Sequence, residues 1–205
     1  MLGAARESYL YVPATYRAER PAPLLLLLHG AGGHARQGLD LLRSLADEAG
    51  WCCSHRPRAS TRGTCLLRPL LVDRRYGPDV TIVDQALEHV FSRYAVDTAH
   101  IPVGGFADGA SYALSLGITN GDLFTHVLAF SPGFVALAER VGSPRIFVSH
   151  GTRDEVLPIA LCSRRIVPRL EHADYDVLYR EFDGGHAISG ETALEAVDWF
   201  IGQQA

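Results

Sequence analysis

Four short segments could carry chemistry, because each lies at the carboxyl end of a predicted strand. They are His29–Gly33, Gly105–Gly109, His150–Pro158 and Gly184–His186. A histidine in such a position can act as a general base, and glycine-rich turns allow backbone groups to approach a ligand closely. Active sites in open α/β sheets lie at the carboxyl ends of the strands. We therefore expect the four segments to meet at one edge of a sheet.

The elements that must position these segments alternate between strand and helix. Leu24–Leu28 is a continuous apolar run, which predicts a strand buried on both faces. The other predicted strands are Ser8–Val12, Ile101–Val103, Val127–Phe130, Arg145–Ser149 and Val177–Phe182. Helical spacing of apolar residues predicts helices at Leu39–Ala49, Asp79–Tyr94, Asp108–Leu116, Ile159–Leu170 and Thr192–Ile201. This alternation predicts an α/β fold in a single domain over residues 1–205, with a mostly parallel sheet and helices on both faces.

The segment around residue 107 resembles the strand–elbow–helix of the α/β-hydrolase superfamily. In that superfamily the sequence is G-x-S-x-G, and the serine sits at the tip of a strained turn. Gly105 and Gly109 match the two glycines, but Ala107 occupies the nucleophile position. Asp108 does not replace it, because the dehalogenase branch of the superfamily has its Asp at the tip; we expect Asp108 to flank the helix N-terminus. Ser111 is one helical turn further on and is expected to point into packing.

The segment His29–Gly33 resembles the superfamily's oxyanion loop. The resemblance implies that the backbone N–H groups of Ala31 and Asp108 would face a developing oxyanion. The ordinary alternative is a glycine-rich turn between a strand and a helix. A phosphate-binding P-loop is excluded, because no Gly-Lys-Ser/Thr follows.

Two further segments resemble the loops that carry the acid and the base of the superfamily. The stretch from His150 to Pro158 resembles H-G-x-x-D-x-x-x-P, which puts Asp154 at the acid position. Gly184-Gly185-His186 resembles G-G-H and makes His186 the general base. Taken alone, Asp154 could cap the helix after Pro158 and His186 could be a surface residue. The order elbow, Asp, His is the one that α/β-hydrolases use, and the other eight histidines lack this context.

The resemblance runs from about Leu24 to Phe200, apart from residues 51–75, and it is greatest to the small carboxylesterase/phospholipase and dienelactone-hydrolase branch. It implies a serine carboxylesterase for small esters that needs no cofactor and no metal, with Ala107 as a nucleophile knockout. The alternative is a natural pseudoenzyme that binds an acyl or ester ligand, or a partner, without hydrolysing it. The segment Ser131–Ser143 is too short for a large lid. The predicted pocket residues are His29, Gly30, Phe106, Phe134, Val156 and Leu157.

Residues 51–75 break the pattern. A buried strand is expected after Gly50, yet the stretch is rich in Cys and Arg, and only Cys65–Val72 has the composition of a strand. One hypothesis is a local shift of reading frame. GC-rich codons for Gly50–Arg58, read from the third base, give Leu-Val-Leu-Leu-Ala-Pro-Ala-Ser. The alternative is a genuine, divergent Arg- and Cys-rich loop.

Composition limits the other classes of function. The chain has 205 residues, of which 47% are hydrophobic and 20% charged, and its net charge is −4. This charge argues against a nucleic-acid or anionic-membrane partner, and no apolar stretch is long enough to span a membrane. Four cysteines, two of them adjacent, make a poor disulfide framework. We therefore expect reduced thiols, a cytoplasmic location without a signal peptide, and a monomer or homodimer.

Overall fold

The computed structural model describes residues 9–28, 52–56, 79–137 and 139–202. Within these residues the strands are β1 (Tyr9–Tyr11), β2 (Leu24–Leu28), β3 (Cys52–Arg56), β4 (Pro102–Phe106), β5 (His126–Phe130), β6 (Arg145–Gly151) and β7 (Val177–Phe182). The helices are α1 (Asp79–Phe91), α2 (Asp108–Thr119), α3 (Ser163–Glu171) and α4 (Gly190–Ile201).

The seven strands form one sheet in the order β1-β3-β2-β4-β5-β6-β7. Strand β1 runs antiparallel to β3, and all other neighbours are parallel. In the centre of the sheet, Gly105 of β4 pairs with Leu28 of β2 and Ala129 of β5. The predicted parallel sheet is thus confirmed. The segments that follow β4, β6 and β7 leave the sheet at the same edge.

The apolar residues of β2 divide between the two faces of the sheet. Leu24, Leu26 and Leu28 belong to a large core that also contains apolar residues of α1, α2 and α3. Leu25 and Leu27 belong to a smaller core on the opposite face, together with residues of α4. All five leucines are buried, as expected for a strand covered on both sides. The predicted helices on both faces are therefore confirmed.

Several element boundaries differ from the sequence prediction. Strand β4 continues to Phe106 rather than ending at Val103, because its glycines pair with strands on both sides. Helix α3 begins at Ser163, not Ile159, because residues 159–162 form tight turns. The predicted helix Leu39–Ala49 lies outside the described residues.

The strand expected after Gly50 is present, in a part of the Cys- and Arg-rich stretch whose composition did not indicate it. The structure places β3 at Cys52–Arg56, whereas Cys65–Val72 lies outside the described residues. The backbone of β3 pairs with β1 on one side and β2 on the other. This pairing, rather than the strand propensity of its residues, explains why the segment forms a strand. The strand coincides with the part that a shifted frame would turn into apolar residues.

In the ranges that the structure describes, no helix is both long and apolar enough to cross a membrane. Cys162, just before α3, is a buried free thiol.

Candidate active site

Ala107 lies at the tip of a strained turn between β4 and α2. Its φ of 55° and ψ of −118° form a conformation that residues with a Cβ rarely adopt. Such strain costs on the order of 1–3 kcal/mol and persists only where the surroundings hold it. Here the Ala107 N–H donates to Phe130 O (2.9 Å), and the Ala107 carbonyl accepts from the Ser111 N–H (3.0 Å). The sharp turn predicted at this position is thus present.

Close packing at the elbow explains one of its glycines. A Cβ added to Gly105 would lie 2.4 Å from both the carbonyl carbon and the oxygen of Gly109, and 2.6 Å from Leu28 O. Strand β4 and the first turn of α2 therefore approach as closely as the sequence predicted. Only glycine fits at position 105 without moving backbone.

Asp154 and His186 are in direct contact. The His186 Nδ1 lies 2.7 Å from Asp154 Oδ2, and the Asp154 side chain is fully buried. The other carboxylate oxygen, Oδ1, accepts from the backbone N–H groups of Val156 (2.9 Å) and Leu157 (2.8 Å). The expected contact between the acid and one ring nitrogen is thus present. Asp154 also accepts hydrogen bonds from backbone N–H groups of its own loop, which resembles the capping role given above as the alternative.

The hydrogen bonds to Asp154 determine its ionisation. Burial alone raises the pKa of this carboxyl group, but the Leu157 N–H and the hydrogen bond and charge of His186 outweigh it, so the pKa is lowered. An ionised carboxylate can only accept hydrogen bonds, so the His186 Nδ1 must carry a proton. When the ring is neutral, its Nε2 then has a lone pair and can accept a proton.

Phe106 connects His186 to the elbow. The two ring centroids are 4.6 Å apart, with 38° between the ring planes. Phe106 directly precedes Ala107 in the chain. This ring contact therefore places the imidazole beside the residue that neighbours the nucleophile position.

A second histidine, His150, also contacts Asp154. Its side chain is fully buried, with Nε2 3.3 Å from Asp154 Oδ2 and 2.8 Å from Leu157 O. Its Nδ1 lies 2.6 Å from Ser163 Oγ. The prediction that only His186 belongs to this environment was wrong for His150. Its position at the start of the Asp154 segment, directly after the predicted strand Arg145–Ser149, was a signal that could have found it.

Ser111 is buried, as predicted, but it also links the elbow to the loop after β5. Its Oγ donates to Ala107 O (3.1 Å). The same oxygen accepts from the backbone N–H groups of Gly133 (2.8 Å) and Phe134 (3.3 Å). Ser111 is therefore a structural bridge, and its only proton is already donated to the elbow.

The predicted pocket is only partly covered by the described residues. Phe134 is 48% exposed and Val156 65% exposed, so neither forms a buried wall in this structure. Leu157 is partly buried beside Gly133, where an added Cβ would be 3.2 Å from Leu157 Cδ2. Asp108 opens α2 directly after the elbow tip, as expected. His29, Gly30 and Ala31 lie outside the described residues, so the oxyanion loop and the full pocket remain predictions.

A cavity of about 550 Å³ lies at the opposite edge of the sheet. Its lining includes Phe91, Tyr94, Ile101 and Leu123, from the segments that precede β4 and β5. None of the predicted site residues lines it. A cavity at this edge would count against the predicted site only if the carboxyl edge held none. Part of the carboxyl edge lies outside the described residues, so this cavity does not test the prediction.

The sheet, the elbow and the Asp–His pair together define an α/β-hydrolase fold. The family model described as Phospholipase/Carboxylesterase matches residues 80–204, which is more than half of the chain. The chain therefore belongs to the phospholipase/carboxylesterase family.

Solved structures support the fold over nearly the whole chain. The esterase PE8 matches with a TM-score of 0.72 and 20% identity, covering 96% of this chain and 98% of that one. A phospholipase/carboxylesterase from Dyadobacter fermentans matches with a TM-score of 0.71 and 18% identity, covering 98% and 99%. The Bacillus cereus carboxylesterase has a TM-score of 0.67 and 21% identity, with 97% and 94% covered. No curated protein sequence matches the chain significantly.

Proposed function

We propose that this chain is a carboxylesterase for small esters whose nucleophile has been replaced by Ala107, so that it barely turns over as it stands. The observation that carries the proposal is the 2.7 Å contact between Asp154 and His186, on the same edge of the sheet as the strained turn at Ala107. A buried carboxylate that orients an imidazole beside such a turn is the arrangement by which serine hydrolases activate a hydroxyl.

The chemistry follows from restoring one oxygen atom at position 107. The Oγ of a serine introduced there would attack the ester carbonyl while His186 Nε2 takes its proton, and the same proton would then go to the departing alcohol. Water would next release the acid from the acyl-enzyme, with His186 again as the base. Asp154 would hold the Nδ1 proton throughout. The backbone N–H groups of Ala31 and Asp108 are the proposed donors to the oxyanion.

Without that oxygen, little activity is expected. Removing a catalytic serine costs on the order of 10⁶ in kcat, which corresponds to about 8 kcal/mol of barrier. Binding and the oxyanion donors leave a rate of roughly 10³–10⁴ over water. His186 could still activate a water molecule, but the alanine methyl group offers no hydrogen bond that would hold this water in line.

The test is to compare Ala107→Ser with the parent chain on p-nitrophenyl acetate and butyrate. We expect the variant to gain at least about 10²-fold in turnover, given the size of the loss. Adding His186→Ala should abolish the gain, and adding Asp154→Asn should lower it by up to about 10⁴ through the wrong tautomer of the ring. Ala173→Ser is the matched control, because it introduces the same hydroxyl far along the chain from the elbow. A folded Ala107→Ser protein that is inert on esters, amides and lactones would contradict the proposal.

The second candidate is a pseudoenzyme that binds an acyl or ester ligand without hydrolysing it. The observation that favours it is Ala107 itself, which retains the strained turn without its hydroxyl. The parent chain would then bind p-nitrophenyl butyrate, as seen by ligand-observed NMR, while Ala107→Ser gains no turnover. Both outcomes together would select this candidate over the esterase. The intact Asp154–His186 pair favours the esterase, because a scaffold without chemistry does not need a base and its orienting acid.

A further inference from the structure

His150 reaches the proposed site from behind the acid rather than from the substrate side. It lies near the end of β6, and its side chain is fully buried. Both of its ring nitrogens have partners: Ser163 Oγ at one side, and Leu157 O with Asp154 Oδ2 at the other. None of these contacts involves the elbow.

The partners determine where the His150 proton lies. Nε2 faces a carbonyl oxygen and an ionised carboxylate, which only accept, so Nε2 must carry a proton. Burial lowers the pKa of His150 and outweighs the opposing effects of the Leu157 carbonyl and the Asp154 charge, so the ring is neutral. Nδ1 then has a lone pair and accepts from the Ser163 hydroxyl. His150 and His186 therefore hold opposite tautomers, and both contact Oδ2 of the same carboxylate.

The same contacts clamp the loop that carries the acid. The Leu157 N–H donates to Asp154 Oδ1 (2.8 Å), while the Leu157 carbonyl accepts from His150 Nε2 (2.8 Å). Both backbone polar groups of Leu157 are thus held by hydrogen bonds. If His150 were lost, the partly buried Leu157 carbonyl would lose its partner, and the carboxylate would lose one of the groups that define its rotation.

We propose that His150 is a positioning residue whose Nε2–H holds the Leu157 carbonyl and Asp154 Oδ2, so that the carboxylate presents Oδ2 to His186 in a single orientation. The catalytic consequence rests on the esterase function proposed above. The structural part does not, because it concerns hydrogen bonds that are present in the Ala107 chain.

The structural part is tested by two-bond ¹H–¹⁵N correlation spectra of the parent chain, which report ring tautomers through carbon-bound protons. At about pH 8 we expect the Nε2–H form for His150 and the Nδ1–H form for His186. His150→Phe keeps a ring of similar shape without donors and should allow His186 to exchange between tautomers. His150→Gln supplies an N–H at a similar reach and should restore the single form.

Ser163→Ala keeps the folded frame if His150→Phe does not fold, because it removes only the partner of Nδ1. It should shift the His186 spectrum in the same direction by a smaller amount. The proposal is overturned if His150 has the Nδ1–H form, or if the folded His150→Phe or Ser163→Ala variant leaves the His186 tautomer unchanged.

The catalytic part is tested in the Ala107→Ser background. Because the carboxylate would lose a group that fixes its orientation, His150→Phe should lower kcat by about tenfold, which corresponds to about 1.4 kcal/mol of barrier. KM should change less than about twofold, since the substrate does not touch His150, and His150→Gln should recover most of kcat. An unchanged kcat overturns this part. If Ala107→Ser itself is inert while the tautomers respond as expected, the esterase function fails and the positioning role stands.

Discussion

Adding one methyl group at Gly105 should be among the most damaging single changes in the described part of the chain. The new Cβ would meet three backbone atoms at 2.4–2.6 Å, on Gly109 of α2 and Leu28 of β2. Ordinary van der Waals contact begins at 3.4 Å, so each atom would have to move by close to 1 Å. The strand cannot move aside easily, because it pairs with β2 and β5 at this residue.

The expected loss of folding stability can be ranked by comparing three glycines with different surroundings. Overpacking a core typically costs about 1–3 kcal/mol and occasionally more. Gly105→Ala should cost about 3 kcal/mol or above, because the atoms it clashes with are backbone atoms of two elements, α2 and β2. At Gly104 the nearest atoms, in Leu128, are 3.1 Å away, so Gly104→Ala should cost about 1 kcal/mol. At Gly190, the first residue of α4, nothing lies within 4 Å. Gly190→Ala should be neutral or stabilise by up to about 1 kcal/mol.

Urea unfolding followed by circular dichroism measures all three changes in the free energy of unfolding. Thermal unfolding should agree, with a fall in Tm of roughly 6–12 °C for Gly105→Ala at 2–4 °C per kcal/mol. A total failure of Gly105→Ala to fold fits the ranking, provided that Gly104→Ala and Gly190→Ala fold. The reasoning is refuted if Gly105→Ala costs no more than Gly104→Ala, since the elbow would then have room that the structure does not show.

Two further predictions concern buried polar groups. Burial and the nearby Arg145 charge lower the pKa of His126 to about 4, so this residue favours the folded state fully above pH 6.5 and progressively less as the pH falls to 4. The free energy of unfolding should therefore fall by about 2 kcal/mol over this pH range, after allowance for solvent screening. Urea titrations at pH 6.5 and pH 4 measure this fall. It should be absent in His126→Phe and unchanged in the exposed control His172→Gln. Ser111→Ala should cost about 2 kcal/mol, because it leaves the Gly133 N–H without its partner; Ser92→Ala, at an exposed hydroxyl, should stay within about 0.5 kcal/mol. Equal losses for the two serine variants would contradict this.

The sequence was most informative where side chains alone determine burial. The five leucines of β2 predicted their strand correctly, because such a run is stable only when both faces are covered. Strand β3 could not be predicted in this way. Its place comes from backbone pairing with β1 and β2, which carries no signal in a Cys- and Arg-rich stretch. The end of β4 was misplaced for a similar reason. Glycine has a low strand propensity, and Gly104 and Gly105 are in a strand because they pair with β2 and β5.

In the candidate site, too, some residues could be predicted from the sequence and others depend on tertiary contacts. The resemblance of two segments to the superfamily's acid and base loops implied that Asp154 and His186 belong together, and the structure has them in contact. The parts that were missed are the groups behind them. His150 had a signal in its position at the end of a buried strand, which the sequence analysis did not use. The bridge that Ser111 makes to Gly133 has no such signal, because it depends on how the loop after β5 folds back over α2.

The elbow holds its shape without help from the side chain at position 107. Its N–H and carbonyl are bound by Phe130 O, the Ser111 N–H and the Ser111 hydroxyl. The close approach of β4 and α2 depends on Gly105. Because the methyl group of Ala107 contributes to none of these interactions, a serine should adopt the same backbone and differ by one oxygen atom. Ala107→Ser therefore tests the chemistry of the site largely apart from its fold, and an inert but folded variant would count against the proposed reaction itself.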